Sequence, residues 1–75
     1  MADFKKELEQ HAFETAKKML EKYQNPYNLK LEENANLEDS YTVLITILCA
    51  EILNQEEQIE ILSIIDGMKL LDGNR

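Results

Sequence analysis

Cysteine, histidine, proline and arginine each occur once in this chain, glycine twice and tryptophan not at all. Each scarcity removes a class of chemistry. Cys49 has no partner for an intrachain disulfide, and His11 is the only other soft ligand, so a Cys-based zinc site is excluded. One unpaired thiol suits a reducing compartment, and the expected location is cytoplasmic. Gly67 and Gly73 stand apart, so there is no glycine-rich loop to cradle a phosphate. Positive charge is also short. Eight basic residues face 15 acidic ones, the net charge is −7, and the one arginine is Arg75. Phosphate contacts need clustered Lys and Arg, so no direct nucleic-acid binding is expected, and anionic membrane surfaces are disfavoured on the same grounds. The longest uncharged stretch, Ser40 to Ala50, has 11 residues. A bilayer needs about 20, so no membrane span is expected. The stretch Met1 to Leu8 is charged and lacks an apolar h-region, so it does not read as a signal peptide.

Hydrophobic residues make up 44% of the chain, which argues against disorder. Seventy-five residues hold one domain, here residues 1–75. A chain of this size buries only about 60% of its extended surface, so the monomer is marginal and a partner would help it. The charge is uneven: residues 1–37 carry a net −1 and residues 38–75 a net −6.

The spacing predicts a helix over about 2–24. Phe4, Leu8, Ala12, Ala16, Met19, Leu20 and Tyr23 fall on one stripe at about 100° per residue, with Asp3 as N-cap. Asn25-Pro26 then breaks the helix, because the residue before proline is pushed out of the α region. An extended connector follows, and Tyr27, Leu29 and Leu31 alternate with polar residues as if tucked onto the helices.

A second helix is expected over about 37–53, capped at Asn36 with Asp39 or starting at Ser40. Its β-branched content over 41–49 argues for a strand. Its length, without an internal turn residue, argues for a buried helix, and helix is the reading adopted. Apolar nearly all round, it is expected at the centre of the fold, with Cys49 a buried, inert thiol.

A third helix is expected over about 55–72, with Asn54 as N-cap, Glu57 at N3 and Asp72-Gly73-Asn74 as its stop. Helices two and three would meet at Asn54 as a sharp corner or as one kinked rod. Gly67 costs the helix about 1 kcal/mol relative to Ala, or else allows a close crossing. The third helix has two apolar faces. Ile61, Ile64, Ile65, Met68 and Leu71 form one; Ile59, Leu62 and Leu70 lie roughly opposite. A three-helix domain of this size does not easily cover both. Either the connector covers the second face or another molecule does, and the intermolecular reading is preferred.

No catalytic set assembles. Glu7, His11 and Glu14 read as a charged helix surface. Glu57 and Glu60 have the E-x-x-E spacing of helical metal sites but lack a second acidic pair, so with Glu56 they read as a first-turn cluster suiting the helix dipole. No cofactor and no metal are expected, and the chain reads as non-enzymatic. The resulting picture is all-α: a small three-helix domain with an extended connector after helix 1, completed as a bundle by self-association. Its expected role is that of a protein-protein interaction module, of the kind bacterial or phage regulators and inhibitors use to occupy a partner surface. The expected interface is Ile59, Leu62, Leu70, Tyr27, Leu29 and Leu31. The alternative is an acidic nucleic-acid mimic that inhibits a basic protein.

Overall fold

The computed structural model describes residues 4–33 and 35–73, with side chains up to residue 70. Three helices form: α1 (Phe4–Lys22), α2 (Leu37–Cys49) and α3 (Gln55–Gly73). There is no strand among the described residues, so 41–49 is helical despite its β-branched side chains. Its two threonines fit the helix by donating their Oγ1 hydroxyls to carbonyls one turn back, Thr42 to Glu38 at 3.0 Å and Thr46 to Thr42 at 2.7 Å. The expected caps Asn36–Asp39 and Asn54–Glu57 both form as reciprocal capping boxes, so α2 is capped at Asn36 and does not start at Ser40. The Asp3 cap lies outside the described residues.

α1 packs against both other helices, most extensively against α2. Its stripe buries Leu8, Ala12, Thr15, Ala16, Met19 and Leu20, and its two central alanines are fully enclosed. Short side chains there let the neighbouring helices approach closely. α1 therefore holds the central place expected of α2. Val43, Leu44 and Ile47 of α2, Leu53, and Ile61, Ile64 and Ile65 of α3 complete the core. Phe4, at the edge of the stripe, stays exposed.

Cys49 is exposed, which corrects its expected burial. The buried arc of α2 is Ser40, Val43, Leu44 and Ile47. At about 100° per residue Cys49 falls opposite the middle of that arc, on the side of Thr42. An apolar helix in so small a chain has only one face covered.

Lys22 of α1 meets Glu57 of α3, Lys18 pairs with Glu60, and Leu8 lies against Gly67, so α1 and α3 run antiparallel. A Cβ on Gly67 would sit 3.2 Å from Leu8 Cδ1, so Gly67 marks a close crossing. The first turns of α1 and α2 meet the last turns of α3 around one groove, so α1 and α2 are parallel. Parallel neighbours need a return crossover. α1 is about 28 Å long at ~1.5 Å per residue, and the 13 residues from Gln24 to Asn36 reach about 43 Å when extended, which is ample.

α1 closes with a Schellman motif. Gln24 takes a positive φ of 60°, its N–H donates to Glu21, and Asn25 N–H donates to the Leu20 carbonyl at 2.8 Å. Asn25-Pro26-Tyr27-Asn28 then forms a turn closed by Asn28 N–H on the Asn25 carbonyl at 3.0 Å. The Asn25 side chain also bridges to the backbone of Leu29 in both directions, at 2.7 Å each. Leu29 and Leu31 pack on the core as expected, whereas Tyr27 points to solvent.

α2 is shorter than the expected 37–53. It stops at Cys49, with Ala50 as C-cap and Glu51 in the left-handed region at φ 60°. Helices two and three are thus separate, joined by a tight reversal, and the kinked-rod alternative is excluded.

Candidate interaction surface

α3 presents two faces, as its sequence requires. Ile61, Ile64 and Ile65 are buried and Met68 is half-buried against the core; the Leu71 side chain lies outside the described residues. On the other side Ile59, Leu62 and Leu70 are 60%, 47% and 65% exposed. The connector does not cover them. Asp66, also exposed, lies four residues from both Leu62 and Leu70, which places a carboxylate in the middle of this stripe. Of the six expected interface residues, the structure brings Ile59, Leu62 and Leu70 onto one surface. Tyr27 is exposed on the connector turn, and Leu29 and Leu31 are half-buried on the core.

Beside the stripe lies an open groove of about 610 Å3. Its apolar lining comes from Leu37 and Tyr41 of α2 and Ile65 and Met68 of α3, and Lys5, Lys69 and Glu38 are its charged residues. Tyr41, on a helix expected at the centre of the fold, is 40% exposed. The groove was hidden because it forms where three helix ends from distant parts of the chain converge.

The acidic residues of α3 act differently from one another. Glu56 is exposed, but Glu57 is only 6% exposed. Its carboxylate accepts from Lys22 Nζ at 2.5 Å, from the Tyr23 hydroxyl, and from the Asn54 N–H at 3.0 Å. These donors, Lys22 foremost and Tyr23 next, hold the Glu57 carboxyl down to about 2. The same hydrogen bonds raise Lys22 and Tyr23 above their ordinary values. Glu60 pairs more loosely with Lys18, at 4.0 Å. The E-x-x-E pair is therefore a double tie from α3 to α1. Asn54–Glu57 was legible as a cap; the approach of Lys22 and Tyr23 was not, because it depends on the α1–α3 crossing.

His11 is exposed on α1, and Glu14 beside it accepts from Gln10 at 3.1 Å. Among the described residues no three His, Cys, Asp or Glu side chains gather in a way that would hold a metal ion. No described helix is long and apolar enough to cross a membrane. Comparison with protein-family models, curated proteins and solved structures finds no match to this chain.

Proposed function

We propose that this chain is a non-enzymatic, cytoplasmic protein-protein interaction module that self-associates through the outward face of α3 and acts by occupying a surface on another protein. One observation carries the reading: Ile59, Leu62 and Leu70 are large aliphatic side chains on one helix face, all left in water by a fully folded protomer. Large aliphatic side chains gathered on one exposed helix face mark a candidate interaction site. The helix fixes the backbone of this face, so binding a partner needs no backbone ordering there. The exposed thiol of Cys49 fits a reducing compartment. The acidic-mimic alternative is weakened because Glu57 is buried against Lys22 and is not presented to a partner.

Sedimentation equilibrium tests the reading. The wild-type mass should be a multiple of 8.7 kDa. Leu62→Glu and Ile59→Glu should each reduce it to the protomer mass while the helical circular dichroism stays unchanged, because both sites are exposed. Raising salt from 0.1 to 1 M shortens the Debye length from roughly 10 to 3 Å, and an apolar contact should weaken only a few-fold. A wild-type protomer that remains monomeric at about 100 μM overturns the self-association. Dissociation by orders of magnitude with salt would replace the apolar contact with an electrostatic one.

A further inference from the structure

We infer that a second copy of this chain fills the groove beside α3 with its own α3 stripe, each protomer giving its stripe and receiving its partner's across a two-fold axis. This rests on the self-association proposed above and says how it is built.

Two observations converge. The first is chemical fit. The stripe is Leu62, Asp66 and Leu70, aliphatic with a central carboxylate. The groove is lined by Leu37, Tyr41, Ile65 and Met68, with Lys5, Glu38 and Lys69 as its charged residues. Apolar atoms meet apolar atoms, and the carboxylate meets Lys69. Among the described residues neither Asp66 nor Lys69 has an ion pair within the protomer.

The second observation is placement. Stripe and groove occupy neighbouring faces of the same helix, because Asp66 and Lys69 are three residues apart. Two copies of α3 crossing near these residues bring Asp66 of each against Lys69 of the other, and both contacts form at once. That is the self-complementary contact a two-fold dimer requires.

Charge reversal tests the pairing. Asp66→Lys places lysine against Lys69 in both contacts, and Lys69→Glu places glutamate against Asp66 in both. Each variant alone should weaken the dimer about tenfold, as two exposed pairs turn from attraction to repulsion. Both sites are exposed, so circular dichroism should report an unchanged fold. An equimolar mixture of the two variants restores opposite charges in both contacts, and its sedimentation equilibrium should return to the wild-type dimer affinity. A mixture no tighter than either variant alone overturns the inference, as does wild-type affinity in either single variant. If Leu62→Glu dissociates the protein while the mixture fails to recover, the outward face of α3 remains the interaction surface and the groove is not its receptor.

Discussion

Ser40 occupies the inner side of the first turns of α2, fully buried, and its Oγ meets no hydrogen-bond partner. A buried hydroxyl without a partner costs about 1–3 kcal/mol, and serine is a poorer helix former than alanine. Ser40→Ala should therefore raise the free energy of unfolding by up to about 1 kcal/mol in urea denaturation, with an unchanged m-value. A loss of stability would mean that the hydroxyl is bonded in solution. Cys49 teaches the complementary lesson. Its sequence neighbours Leu48 and Ala50 suggest burial, but a side chain's fate depends on its angle around the helix, and the core of so short a chain reaches only one side of α2. For the same reason its truncation to alanine opens no internal cavity.

The helices themselves were legible because their apolar periods, their Asn caps and the Asn25-Pro26 break are local signals. The end of α2 was not. Ala50-Glu51-Ile52-Leu53 contains no glycine or proline and would propagate a helix in isolation. The reversal is imposed by packing Leu53, which is buried, back onto the core, and it forces Glu51 to φ 60°. A non-glycine residue in that region costs about 1 kcal/mol, while glycine adopts it freely. Glu51→Gly should accordingly stabilise the protein by about 0.5–1 kcal/mol by thermal denaturation, and Glu51→Ala should change it little. A stabilising alanine would assign the effect to charge instead of backbone. The two faces of α3 were also readable; which one the protomer buries was not, since that depends on how α1 crosses it.

For the molecule as a whole, the Glu57 tie couples the end of α1 to the start of α3, and its pH dependence follows. The carboxyl titrates near 4.5 when unfolded and at about 2 when folded. A lowered folded value means stability that is complete above 4.5 and is lost as the pH falls towards 2. Lys22 is raised, so its share is complete below 10.5 and disappears as the pH rises through its folded value. Glu57→Gln should lower the melting temperature at neutral pH, and the gap to wild type should close between pH 4.5 and 2. Melting curves of the two proteins that fall in parallel over that range would remove Glu57 from the acid limb.

The parallel setting of α1 and α2, with α3 antiparallel to both, has a consequence in time. α1 contributes the largest share of the core, but the α2 and α3 side chains it packs against lie beyond the connector. A ribosome adds about 5–20 residues per second, so the roughly 40 residues between Lys22 and Ile65 take about 2–8 s to appear. Closing the chain afterwards takes microseconds. During synthesis, the stripe from Leu8 to Leu20 is therefore uncovered for a million-fold longer, on the order of magnitude, than the collapse that buries it, and it is in those seconds that the nascent chain is most open to chaperones and to aggregation.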